Sequence, residues 1–168
     1  AQDVQALCPR MTDAEASATL GIAGGGLAYW VAVIRESFEE AGLLLAYDAQ
    51  DKLVTLDAPE PVERFRRHRH ELNQGTRAML EVLRAEQLTL AVDQLVYFAH
   101  WITPVGSPRR YDTRFFVGVA PPAQAPLHDN QETISHVWVR PQLALDQHGK
   151  DEFKMRFPTK RTLEEFAA

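Results

Sequence analysis

Along the chain, apolar and polar positions alternate at two distinct periods. From Leu27 to Ala41 the apolar residues recur every three to four positions, which predicts a helix, and Gly42 stands where such a helix stops. Before it, Thr12 with Glu15 three positions later has the spacing of a capping box and predicts a short helix over 12–19, followed by the glycine loop Gly24 to Gly26. Leu43 to Tyr47 and Leu53 to Leu56 are short β-like runs. Pro59 to about Glu86 is a polar helical stretch broken near Asn73, Gln74 and Gly75, which reads as a helical hairpin. Leu95 to Ile102, Thr113 to Val119 and Ile134 to Val139 are rich in aromatic and β-branched residues and bounded by Pro, Gly or Asp, which predicts three strands. The loop Pro121 to Pro126 separates the last two, and residues 141–147 and 162–167 read as closing helices. Strands mixed with helices define an α/β (α+β) layered domain, neither a bundle nor a sandwich of sheets.

The helix over 27–41 is the informative element. At about 100° per residue, Trp30, Ile34, Phe38 and Ala41 fall within one arc, and Glu36, Glu39 and Glu40 fall opposite. Glu36 and Glu40 are an (i, i+4) like-charge pair, destabilising on a bare helix by about 0.2–0.5 kcal/mol. All three glutamates also crowd the last two turns, where the negative end of the helix dipole disfavours anions by about 0.3–1 kcal/mol each at exposed positions. A divalent cation reverses both penalties, because magnesium accepts hard carboxylate oxygens from one face while keeping waters for substrate phosphates. The bland alternative is an acidic, solvated helix face.

Composition narrows the classes. At 168 residues with 45% hydrophobic and 24% charged content, the chain is long enough for one domain with a core. Its net charge of -5 argues against general nucleic-acid binding, which needs a basic excess. Cys8 is the single cysteine, so an intramolecular disulfide and a cysteine-rich zinc site are excluded. No run approaches the ~18 apolar residues of a membrane span and residues 1–20 lack the form of a signal peptide, so the expected location is cytoplasmic, with no membrane partner. The chain opens Ala1, Gln2, Asp3, Val4 without methionine, so a start inside a longer polypeptide is expected.

Arg35, Glu36, Ser37, Phe38, Glu39, Glu40, Ala41, Gly42 and Leu43 resemble the core of the Nudix box, Arg-Glu-apolar-any-Glu-Glu-any-Gly-apolar, with each charged and glycine position in register. Ser37 departs from the usual apolar residue, and the motif's upstream glutamate falls at Leu27. Beyond the box, Tyr97 to Pro104, Arg110 to Phe116, and Glu132 followed by Trp138 and Pro141 are similar to the Nudix branch that includes a mammalian peroxisomal coenzyme A diphosphatase, a branch with an insertion inside its box. The resemblance covers nearly the whole chain. It implies an α/β/α sandwich with a mixed sheet and helical insertions. Residues 1–168 would then be one Nudix domain with a helical insertion at about 59–86, its glycine turn and first strands lying before Ala1.

For chemistry, the resemblance implies that Glu36, Glu39 and Glu40 bind magnesium or manganese and that Arg35 steadies them by ion pairing, with Glu39 and Arg35 in the catalytic set. The implied reaction splits coenzyme A or an acyl derivative into 4'-phosphopantetheine, or its acylated form, and adenosine 3',5'-bisphosphate. Glu132 is the candidate base or additional ligand, with a surface loop glutamate as its alternative. Arg110 and Arg114 flank Asp112 on a predicted strand; forked guanidinium donors suit phosphate oxygens, and ion pairing with Asp112 is the competing account. Arg64, Arg66, Arg67, His68, Arg69 and His70 are either a dock for an extra phosphate or a solvated helix face. His100 is expected in the core, as are Phe98, Phe115, Phe116 and Trp138. A non-catalytic Nudix-like binding module, or a pyrophosphatase for NADH or nucleotide sugars, remains open beside the leading reading. The expected partner is a small nucleotide diphosphate, and a homodimer is expected from family habit.

Overall fold

The computed structural model describes residues 2–125 and 137–167. The chain runs through helices α1 (Gln2–Ala6), α2 (Asp13–Leu20) and α3 (Leu27–Ala41), strand β1 (Ala46–Tyr47), and helices α4 (Pro59–Asn73) and α5 (Met79–Ala85). Strand β2 (Thr89–Leu90), a 3-10 turn at Val92–Gln94, strands β3 (Leu95–Ile102) and β4 (Asp112–Gly118), and helices α6 (Pro141–Gly149) and α7 (Phe157–Ala167) complete it. Mixed helices and strands in this order are an α/β architecture. Among the described residues the strands pair two and two, β1 with β2 and β3 with β4. The first pair is antiparallel, with Ala46 opposite Leu90 and Tyr47 opposite Thr89. No helix among the described residues is long and apolar enough to cross a membrane.

The residues group into two compact units, 1–97 with 116–136 and 98–115 with 137–168. In the first, the core is the apolar face of α3: Trp30, Ile34 and Phe38 are fully buried, together with Leu44, Val82, Leu83, Leu90 and Val92 from the elements around it. Trp30 meets Phe116 edge to face at 4.9 Å, and Phe38 meets Phe65 of α4 at 6.3 Å in the same geometry. Such aromatic pairs add about 0.5–1.5 kcal/mol beyond the area they bury. In the second unit, α6 and α7 pack on each other, Phe98 stacks on Phe166 at 4.9 Å, and Trp101 meets Phe157 edge to face at 5.5 Å.

Thr12 accepts from the Glu15 N–H while Glu15 accepts from the Thr12 N–H, so the capping box that predicts α2 is formed. The strand expected over Leu43 to Tyr47 shrinks to two residues. The reason lies in the loop after β4: Gln124, buried, accepts from the Leu44 N–H at 2.8 Å and donates to the carbonyls of Leu44 (3.0 Å) and Val54 (2.8 Å). A side chain thus takes the place of a neighbouring strand. Leu53 joins Tyr47 through an isolated bridge only. Of the strand expected over Ile134 to Val139, residues 134–136 lie outside the described residues and 137–139 have no regular structure. Trp138 is 71% exposed, which corrects its assignment to the core.

Candidate metal and diphosphate site

What carries the acidic face is α3, and both its ends are held from elsewhere in the chain. Its first turn has no side-chain cap of its own. Asp13 of α2 supplies one, accepting from the N–H groups of Gly25 (2.9 Å) and Leu27 (3.0 Å), and Ser17 accepts from Gly26 (2.9 Å). These backbone donors, Leu27 first, hold the Asp13 carboxyl below the usual carboxylate range. The approach is close enough to require glycine, since a Cβ on Gly26 would lie 2.2 Å from the Ser17 backbone nitrogen. At the other end Gly42 adopts φ 72°, and the N–H groups of Gly42 and Leu43 bond the carbonyls of Phe38 (3.1 Å) and Ser37 (3.2 Å). The Gly42 bond to the Phe38 carbonyl is the 5→1 bond of an αL cap.

Between these ends the box residues are brought together on the face away from the core. Arg35 ion-pairs with Glu36, and its Nε stands 3.6 Å from a Glu39 oxygen. The hydrogen bond to Glu36 raises the Arg35 guanidinium above its ordinary value. The Glu36 side chain is about half exposed and that of Glu39 less than a quarter.

Among the described residues no group of three or more acidic, histidine or cysteine side chains converges closely enough to hold a metal ion. The donor chemistry nonetheless fits a hard divalent cation. The carboxylates lie on one helical face with solvent access, and Glu36 and Glu39 are drawn toward Arg35 in this arrangement. Leu27, at the position of the box's upstream glutamate, is buried and supplies no ligand. A cavity of about 100 Å³ beside the helix, lined by Phe38, Gly42, Phe65, Arg66 and Arg69 among others, is well below the ~300 Å³ at which small-molecule sites begin.

Glu132 falls outside the described residues. Arg110 and Arg114 belong to the second unit. Arg110 precedes β4 instead of sharing a strand face with Asp112, and its Nε donates to the Thr103 carbonyl at 3.1 Å. Asp112 is approached by Arg114 at 3.6 Å and by His100 Nε2 at 2.5 Å. His100 is exposed, so its expected core position is corrected.

The basic run 64–70 resolves into unlike parts. His68 Nε2 lies 2.8 Å and Arg64 Nε 3.0 Å from the same Glu86 oxygen, and Arg66 pairs with Glu63. Arg69 is buried and turns to α3, a role that reading the run as one charged patch misses. The signal was available: Phe65, His68, Arg69 and Leu72 stand at i, i+3, i+4 and i+7, one face of a helix.

Residues 5–163 match the NUDT19 Nudix domain, and the chain belongs to this family of Nudix domains. It is similar to the acyl-coenzyme A diphosphatase NUDT19 of Xenopus laevis, 26% identical over 147 residues, which are 82% of this chain and 39% of that protein. It is also similar to the protein of the same name from Gallus gallus, 28% identical over 149 residues, 80% of this chain and 39% of that one. Among solved structures, a Nudix hydrolase from Alicyclobacillus acidocaldarius superposes with a TM-score of 0.70 at 26% identity, covering 85% of this chain and 63% of that one. The chain thus spans about two fifths of the length of the curated relatives it matches.

Proposed function

We propose that this chain carries the metal-binding helix of a diphosphatase acting on coenzyme A or acyl-coenzyme A. The observation that carries the reading is the box itself, Arg35 to Leu43, on a helix whose Glu36, Glu39 and Glu40 face away from the core. The names of the two vertebrate relatives support the substrate class.

A diphosphate resists hydrolysis because its oxygens repel a nucleophile. A bound magnesium or manganese ion would neutralise that charge and lower the pKa of water. Glu36, Glu39 and Glu40 would hold the ion. Arg35 would hold Glu36 and Glu39 near one another and offset their mutual repulsion before the ion binds, since its guanidinium bridges them in the present arrangement. In the reaction water adds to one phosphorus, the P–O–P anhydride bond breaks, and the proton passes to a base. Two phosphate monoesters leave, 4'-phosphopantetheine or its acyl form and adenosine 3',5'-bisphosphate. Glu132 is the proposed base, and Arg110 or Arg114 the proposed contact to substrate phosphate.

The test is incubation of the full-length protein, and separately of this chain, with coenzyme A and Mg2+, products identified by mass. Glu39→Gln and Glu40→Gln should each abolish product while the circular dichroism spectrum is kept; undiminished turnover in both would sink the reading. A second reading, a Nudix-fold module that binds without hydrolysing, is favoured by Leu27 standing buried where the box has a glutamate. Ligand binding with no product from a broad diphosphate panel, NADH and nucleotide sugars included, would establish it.

A further inference from the structure

An α-helix leaves its last carbonyls without partners inside the helix, and α3 must satisfy them in the turn that bears Glu39 and Glu40. Ser37 and Phe38 are served by the Leu43 and Gly42 N–H groups. The next two carbonyls are met from α4. Arg69 donates from Nε to the Glu39 carbonyl at 3.0 Å and from Nη2 to the Glu40 carbonyl at 2.7 Å, and Asn73, one turn further on, donates to the Glu39 carbonyl at 3.3 Å. Arg69 is 8% exposed, so a buried guanidinium fork grips the backbone of two successive box glutamates from behind.

We infer that Arg69, seconded by Asn73, is a positioning residue for the cation-binding carboxylates of Glu39 and Glu40, a role that depends on those glutamates binding the cation as proposed. Three like charges in the last turns push that end of the helix toward fraying, and a frayed turn does not present two carboxylates at one ion. Arg69 opposes this twice over. Its planar fork fixes two neighbouring peptide groups at once, which the single ammonium of lysine cannot reproduce. Its charge sits at the negative end of the helix dipole, where a cation is favourable, and these two donors are on backbone carbonyls. Arg35 works differently, through the carboxylates themselves.

The experiment is a titration of the full chain with Mn2+ alone, free Mn2+ counted by electron paramagnetic resonance, on the unsubstituted protein, Glu40→Gln, Arg69→Lys and Asn73→Ala. Folding is checked by circular dichroism and urea midpoint. Loss of a group that orients a metal ligand weakens metal binding about 10- to 100-fold. Arg69→Lys should fall in that range and Asn73→Ala at its low end, with kcat reduced and KM for coenzyme A unchanged. A folded Arg69→Lys that binds Mn2+ like the unsubstituted protein overturns the inference. Should Arg69→Lys fail to fold, unchanged Mn2+ binding by Asn73→Ala overturns it instead. If Glu40→Gln itself leaves Mn2+ binding unchanged, the glutamates are not ligands and both readings fall together. If Glu40→Gln loses binding while Arg69→Lys keeps it, the positioning role alone fails.

Discussion

Substituting Gly26 with alanine tests how the start of α3 is fixed. The added Cβ would lie 2.2 Å from Ser17 N and 2.5 Å from both Ala16 C and Ser17 Cα, all of them backbone atoms. Carbon contacts are comfortable near 3.5–4.0 Å, so α2 and the start of α3 must separate by roughly 1 Å or more. That displacement strains the Gly26 N–H bond to Ser17 Oγ and the Leu27 bond to Asp13. Overpacking of this kind costs about 1–3 kcal/mol, and the broken hydrogen bond about 1 more. Alanine returns about 0.4–1 kcal/mol by restricting the unfolded chain. A net loss of about 1–3.6 kcal/mol is expected, or roughly 2–14 °C in Tm at the 2–4 °C per kcal/mol of a chain this size. The assay is urea unfolding followed by circular dichroism, with Gly24→Ala as its control. At Gly24 a Cβ meets nothing within 4 Å and φ is not positive, so the control should be neutral or slightly stabilising. Equal stability of the two variants would refute the reasoning, since only the close approach distinguishes them.

Further outcomes are expected at Gln124 and at Cys8. Gln124→Leu leaves the Leu44 N–H and the carbonyls of Leu44 and Val54 without their partner, and at about 1–3 kcal/mol per unsatisfied buried group the loss should reach 3 kcal/mol or more in urea unfolding. Gln124→Glu, which still accepts but cannot donate, should recover only part of it. Cys8 is fully buried, and burial pushes its thiol up to about 11, so iodoacetamide at pH 8 should modify it in urea and spare it in the folded protein, as read by mass. The sign for stability follows: the contribution is whole below the ordinary value of 9.0 and is lost as pH rises through about 11, because the unfolded thiol releases its proton first. Urea midpoints taken from pH 8 upward should fall, and Cys8→Ala should flatten that fall.

Elements whose signals are local were legible in the sequence. The helix over 27–41 is found from its apolar period and Gly42, α2 from a capping box four residues long, and β3 and β4 from aromatic and β-branched runs. What was not legible is how these pieces grip one another. Asp13 reaches Leu27, Arg69 reaches Glu39, and Gln124 reaches Leu44 across 80 positions. The helical spacing of Phe65, His68, Arg69 and Leu72 marks Arg69 as inward-facing, but no periodicity names the partner in any of these pairs. Propensity overextended β1 for the same reason, because it reads the apolar run 43–47 without seeing that Gln124 takes the hydrogen bonds of Leu44. The candidate site divides likewise: the core of the box, 35–43, is contiguous and visible in the sequence, while Arg110, expected on a strand, precedes one that begins two residues later.

The conflict visible in the sequence, three glutamates at the unfavourable end of a helix, is met in the fold by complementing the dipole at both ends. Asp13, an anion, caps the positive start of α3, and Arg69, a cation, caps its negative end. Neither belongs to the helix, so charges unfavourable within α3 are stabilised by partners from α2 and α4. Local rules broken at one place and compensated from others are the usual mark of a site kept for its chemistry and not for its stability. The cost of burying the Arg69 guanidinium is set against bonds to the carbonyls of Glu39 and Glu40, which ties the stability of the fold to the geometry of those two side chains.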